Sequence, residues 1–422
     1  MINKGKLKIR KHGVEYDKDA IELLGYAFLF YAGSYSSKII LTGIDLASIA
    51  SLGSLFFYII WIYQLIKVML NNTFVIKKII FFELLYIGIL VINRELFPYT
   101  KPYYIEYFMF LRQIVIIFLP CGIILSQVKD FENAFLYLKK YAWIGSLIML
   151  IALPLGFIDY WGDQYWGVQL SPFVIIIFGN YIKSYKKEDL ILLIIDLILI
   201  LSGGRQSFLI VFVSCFALYL FDNRKKTKKM LILISIISIA VLMFFMEFYT
   251  VLFQGMNHLF QTFGIEVDLL EQLANNKLFD TSTRNIIYQY AIDSIRETGT
   301  KISGLFADRY YIRQFARWIA YPHNLFLELW MDFGTVLGTI IGLILVQKVL
   351  KHVFIGGEER RRLCIVLSIL VFFRLMVSNS FMIEGYFYIL LGILFGYNKK
   401  KNRLHKKYSL MKMKKIGRRV SI

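Results

Sequence analysis

Apolar runs long enough to cross a bilayer recur along almost the whole chain, and this leaves few folds open. A helix needs about 20 apolar residues to cross about 30 Å of hydrocarbon. Runs near that length lie at residues 20 to 41, 44 to 66, 79 to 92, 105 to 125, 141 to 158, 168 to 182, 190 to 201, 207 to 221, 230 to 249, 322 to 346, 363 to 378 and 382 to 397. Hydrophobic residues make up 58% of the chain, above the roughly 45 to 50% of soluble domains, which excludes a soluble core. Helical run lengths and only six prolines argue against a membrane β-barrel, whose strands need only about ten residues of alternating polarity. The expectation is an all-α polytopic membrane protein with about twelve transmembrane helices, forming a single membrane domain over residues 1–422.

The net charge of +20 invites a nucleic-acid partner, but its distribution rejects one. Lys and Arg cluster at Lys4 to Lys18, Lys77-Lys78, Lys139-Lys140, Lys183 to Lys187, Arg224 to Lys229, Arg360 to Arg362 and Lys399 to Arg419. These are alternate links and both ends, the pattern of cytoplasmic loops in a multi-pass protein of the cytoplasmic membrane. With both termini cytoplasmic, residues 250–321 form one large extracytoplasmic loop and 398–422 a basic, solvated cytoplasmic tail beside anionic lipid. The basic start is read as the first region of a retained signal anchor. Cys121, Cys215 and Cys364 fall within expected spans, so no disulfide framework is implied.

The loop has helical content of its own. Leu269 to Leu278 and Asn285 to Ile295 carry apolar residues at helical spacing, among them Ile287, Tyr290, Ala291 and Ile295. Thr281-Ser282-Thr283 supplies helix-start residues before the second stretch. Two or three short helices packed on the outer surface are expected.

Ionisable residues inside spans are functional candidates by default. Arg112 falls in the outer half of its span, Arg374 near the outer end of another, Arg94 and Arg205 at external links, and Arg284 at the start of the loop helix. Guanidinium groups suit phosphate oxygens, so these arginines form a candidate anion site; snorkelling to the interface or pairing with Glu247, Glu384 or Asp308 is the structural alternative. Asp196 and Glu83 are read as helix-to-helix hydrogen-bonding groups. In the turn Ser202-Gly203-Gly204-Arg205-Gln206, glycines let the backbone approach a ligand. Pro322 suits the first turn of the next helix, leaving His323 and Asn324 at its positive end and Glu328 four residues on from Asn324, sharing its face. His323 is the candidate base, with Asn324 and Glu328 as its support.

The motifs Ser-Gly-Gly-Arg-Gln at Ser202 to Gln206, Thr283-Arg284, Gly304, and His323-Asn324 to Glu328 followed by Asp332-Phe333-Gly334 resemble the O-antigen ligase and polymerase superfamily. Two departures stand out: Gly204 replaces the second Ser of the more usual Ser-Gly-Ser-Arg, and Phe306 stands where a Gly-x-Gly would place its second glycine. The resemblance implies an integral membrane glycosyltransferase acting on polyprenyl-diphosphate-linked oligosaccharide, with Arg205, Arg284 and His323 as functional residues. Arg205 and Arg284, helped by Arg112 or Arg374, would hold the diphosphate, and His323 would orient or deprotonate the acceptor hydroxyl. The expected activity is polymerisation of repeat units into a capsular or exopolysaccharide. The alternatives are ligase-like transfer of a finished glycan, or flipping of a lipid-linked saccharide. A chain-length regulator and other polysaccharide-assembly proteins are the partners such a role implies. The scheme requires no cofactor or metal, and the one Asp-x-Asp pattern, Asp17-Lys18-Asp19, falls in the cytoplasmic end as a solvated cluster.

Overall fold

The computed structural model describes residues 4–43, 50–70, 72–152, 164–202, 205–221, 282–315 and 321–396, with a few positions between 254 and 262. The run expected at 230 to 249, the stretch Leu269 to Leu278 and the tail 398–422 lie outside the described residues. Among those described, regular structure is entirely helical: α1 (Lys4–Gly43), α2 (Ala50–Leu70), α3 (Thr73–Leu96), α4 (Lys101–Glu106), α5 (Phe108–Ser126), α6 (Ala134–Ala152), α7 (Gln164–Ser184), α8 (Lys187–Ser202), α9 (Arg205–Phe221), α10 (Ser282–Thr298), α11 (Ala307–Phe315), α12 (Leu325–Ile355), α13 (Glu358–Val377) and α14 (Gly385–Phe395).

Among the described residues, four segments are long and apolar enough to cross a membrane: Leu52–Leu70, Phe108–Ser126, Ala134–Ala152 and Leu325–Ile355. The described residues therefore make an α-helical membrane protein, without fixing the expected count of twelve spans. Large apolar side chains stand exposed along α2, α3 and α12, including Phe56, Ile59, Phe81, Leu84 and Leu343. Soluble monomers rarely leave apolar surface of that extent uncovered; hydrocarbon covers it at no cost.

Helix interiors follow from their sequences. In α5, Pro120 has no N–H to offer the carbonyl of Ile116, and the helix widens to a π turn over Ile114–Phe118. The indole of Trp61 on α2 donates to that Ile116 carbonyl at 3.0 Å, so the backbone defect fastens two helices together. Asp196 of α8 accepts from Ser146 of α6 at 2.8 Å, the helix-to-helix role expected for it.

α12 departs from expectation. A single helix was expected over 322 to 346, yet Gly334 has φ 76° and ψ 162°, and the chain reverses there. Arms 325–333 and 335–355 lie side by side: a Cβ on Gly338 would stand 2.6 Å from the Leu329 carbonyl oxygen, and one on Gly342 3.1 Å from the Phe326 ring. In one straight helix residues nine apart are separated by about 13 Å of rise. Gly334, Gly338 and Gly342 recur every fourth residue, presenting a side-chain-free stripe on which the short arm rests. The Trp330 indole donates to Thr339 Oγ1 at 2.9 Å and closes the hairpin.

The backbone at Gly334 lies in a region open essentially to glycine alone, and a Cβ there would meet the Thr300 carbonyl oxygen at 2.5 Å. Gly334→Ala is therefore expected to cost at least about 1 to 3 kcal/mol, read as a lowered unfolding midpoint in detergent. An unchanged midpoint would show that this turn does not hold the reversal.

The loop helices dock on the short arm. Ile287, Ala291 and Ile295 of α10 and Ile312 of α11 bury themselves against Leu327 and Met331. The apolar spacing read from the sequence thus marks the face that packs.

Candidate functional site

The site is assembled where the short arm of α12, the loop 299–309 and the turn between α13 and α14 meet. Asn324 is the N-cap of α12, its Oδ1 accepting from the N–H groups of Phe326 at 3.0 Å and Leu327 at 3.3 Å. The helix thus begins at Leu325, and Pro322 and His323 precede it instead of forming its first turn. Asn324 spends its side-chain carbonyl on the cap.

His323 adopts a left-handed backbone, φ 52°, uncommon for any residue but glycine, although His is among the types enriched there. Its ring tilts against Tyr321, centroids 4.5 Å apart. The Tyr321 hydroxyl donates to the Ser378 carbonyl at 2.8 Å, and its ring covers the guanidinium of Arg309 at 5.3 Å.

Arg309 is the residue on which the site converges. Fully buried, it donates to both Asp308 carboxylate oxygens at 2.6 Å, to Glu328 Oε1 at 3.1 Å and to Ser380 Oγ at 2.5 Å. Three aromatic rings surround it, those of Tyr107, Phe306 and Tyr321. Burial alone would lower its affinity for a proton, but the carboxylates of Asp308 and Glu328 more than offset this and hold the guanidinium above its ordinary value. Glu328, expected to support His323, is the acceptor for Arg309, Ser380 Oγ and the Phe381 N–H. Its buried carboxylate locks α11, α12 and the Ser378–Glu384 turn together.

Asp332 and Phe306 complete the frame. The Asp332 carbonyl accepts from Ser303 and Gly304 at 3.0 and 2.8 Å, and its carboxylate accepts from the Asp308 N–H at 3.1 Å, at the start of α11. Gly304, at φ 87°, presses on the Phe97 ring, where a Cβ would sit 2.3 Å from it. Phe306 has φ 68°, the left-handed conformation for which a second glycine would be suited. Its ring offsets that strain by stacking on Tyr107 at 5.7 Å, meeting Tyr104 edge-on and facing Arg309. At the loop's far end Arg313 grips Glu106 through two hydrogen bonds of 2.7 and 2.6 Å, which hold that carboxyl below its usual value.

The expected arginines divide. Arg374 pairs with Glu384, which also accepts from Asn379 at 2.6 Å and from the Tyr386 N–H at 3.1 Å as the N-cap of α14. Asn379 and Ser380 are neighbours, so the Arg374 and Arg309 groups share one turn. Arg112 lies over the Tyr58 ring of α2 at 5.7 Å. Arg205 opens α9 and Arg284 lies in the first turn of α10; Gly203 and Gly204 fall outside the described residues, and of the two arginines only backbone is described. Gln206 reaches the Phe373 carbonyl at 3.4 Å, so the start of α9 stands level with Arg374. Arg309 was not among the sequence candidates because a charged pair in an external loop reads as solvated. The only trace is that Asp308 and Arg309 share a short helix with Ile312.

A family model described as O-antigen ligase matches residues 190–342. Over this segment, a little over a third of the chain, the protein is similar to the O-antigen ligase family. The O-antigen ligase segment takes in Arg205, Arg284, Asp308, Arg309, His323, Glu328 and the turn at Gly334, and it ends at the third glycine of the stripe. Arg112, Arg374, Ser380 and Glu384 lie outside it. No curated protein and no solved structure matches the chain.

Proposed function

We propose that the protein transfers a glycan from a polyprenyl-diphosphate-linked oligosaccharide to a sugar hydroxyl, lengthening a capsular or exopolysaccharide at the outer face of the cytoplasmic membrane. The observation that carries this reading is His323 held in a strained backbone against Tyr321, on a frame fixed by a fully buried Arg309 network, within the O-antigen ligase segment. Strain of this kind persists where surrounding contacts over-determine it, and it gathers at sites of function. Sidedness rests on the basic links: α13 starts at Glu358 beside Arg360 to Arg362 and ends at Val377, some 30 Å of helix later. Positive links stay inside, so the His323 end faces out.

In the proposed reaction the acceptor hydroxyl attacks the anomeric carbon, and the bond from that carbon to the diphosphate oxygen breaks. The electron pair leaves on the diphosphate, an anion that needs no proton, while the hydroxyl proton passes to His323. Arg205 and Arg284, one opening α9 and the other in the first turn of α10, are assigned to the departing diphosphate; Arg374, already committed to Glu384, adds field more than contact. Purified protein given lipid-linked repeat units should yield a ladder of longer products. A single transfer to a different acceptor would make it a ligase, and translocation without transfer would overturn the reading.

A further inference from the structure

A cavity of about 700 Å³ opens at the other end of α14, between α3, α5 and α14. Its volume is that of a small-molecule site. Its origin lies in unequal packing. α5 and α14 touch backbone to backbone, a Cβ on Gly392 falling 2.0 Å from the Gly122 carbonyl oxygen, and they form a closed rear wall. Two hydrogen bonds join α3 to that wall among the described residues: Lys78 Nζ donates to Gln127 Oε1 at 2.7 Å, and the Tyr86 hydroxyl meets the Tyr388 hydroxyl at 3.3 Å. Residues 78, 82 and 86 share one face of α3, and the Phe82 ring lines the space between the two bonds.

The lining is sorted by depth. Lys78, Lys129 and Arg360 stand in it with no carboxylate among the lining residues. Arg360 is set by its bond to the Ile393 carbonyl, 3.3 Å, and by the Phe131 ring at 5.1 Å. Eight residues up α14, from Gly396 to Tyr388, the walls are Leu119, Ile123 and Leu391, about 12 Å from the mouth. The stretch that follows Gly396 carries Lys399, Lys400 and Lys401, the same sign as the mouth.

We infer that this cavity binds one anionic phospholipid of the surrounding leaflet, its phosphate between Lys78, Lys129 and Arg360 and an acyl chain along Phe82, Ile123 and Leu391. A free phosphate would meet the cations and leave the apolar depth unfilled; a zwitterionic lipid would fill the depth and bring an unmatched cation to the mouth. Basic clusters at the cytoplasmic boundary attract anionic headgroups by about 1 kcal/mol per cation. The inference does not rest on glycosyl transfer, since α14 separates this cavity from the His323 site, with Glu384 at one end and Gly396 at the other.

The test is native mass spectrometry of the delipidated full chain in neutral detergent, titrated with phosphatidylglycerol, phosphatidylcholine or inorganic phosphate. One phosphatidylglycerol should be held per chain, roughly tenfold or more tighter than phosphatidylcholine. The double variant Lys78→Gln, Lys129→Gln should bring the two lipids level while keeping the lipid-free unfolding midpoint, and Ile123→Trp, which fills the depth, should weaken both. Equal binding of the two lipids by the unaltered chain, undiminished phosphatidylglycerol binding by the double variant, or inorganic phosphate competing as well as the lipid would each overturn the inference.

Discussion

Arg309→Ala is expected to remove about 3 to 5 kcal/mol of stability, enough to leave much of the protein unfolded on extraction. The substitution strips the cation that bridges Asp308 and Glu328, both buried, and empties the space framed by Tyr107, Phe306 and Tyr321. Arg309→Lys should fall between, because a point charge cannot serve Asp308, Glu328 and Ser380 together. Replacing the whole set, Arg309→Met with Asp308→Asn and Glu328→Gln, should recover much of the loss, since a buried ion cluster replaced as a unit is often near neutral. The unfolding midpoint in detergent and the recovery of monodisperse protein measure these differences. A loss under about 1 kcal/mol for Arg309→Ala, the size typical of an exposed pair, would show that the network does not hold the site together.

His323→Asn should lower glycan transfer by about 10²- to 10⁴-fold, the usual contribution of a placed base, with the unfolding midpoint nearly unchanged. Asn accepts the left-handed backbone as readily as His, so this variant separates the imidazole from the fold. His323→Ala confounds the two, adding about 1 to 2 kcal/mol of backbone cost. Turnover of a lipid-linked donor by purified protein reads the first effect and thermal unfolding the second. Wild-type product lengths from His323→Asn would make the residue a structural one.

The helical class and the membrane were legible because both rest on periodicity and composition, which local sequence carries directly. So was the packing face of α10, where Ile287, Ala291 and Ile295 repeat at helical spacing. Asn324 illustrates a partial reading: the helix start was visible, but whether Pro322 or Asn324 opens it depends on a side-chain hydrogen bond. The reversal at Gly334 was hidden because residues on both sides are equally apolar and three glycines at helical spacing look like an ordinary interface stripe. Arg309, Ser380 and Asp332 were hidden for another reason. Their partners lie 19 to 71 positions away in the chain, and no local pattern encodes such a meeting. Arg374 shows the converse: its partner Glu384 is only ten residues on, and that pairing was among the alternatives read from the sequence.

The doubled-back arm has a bearing on sidedness. Phe326 lies against Gly342, eight positions past the turn, or about 12 Å of rise, so the chain doubles back beside itself before the long arm runs on. Such an excursion returns the chain to the level at which it began. A protein could lengthen, shorten or lose it, changing how deep the imidazole is recessed, without inverting the orientation of any helix that follows.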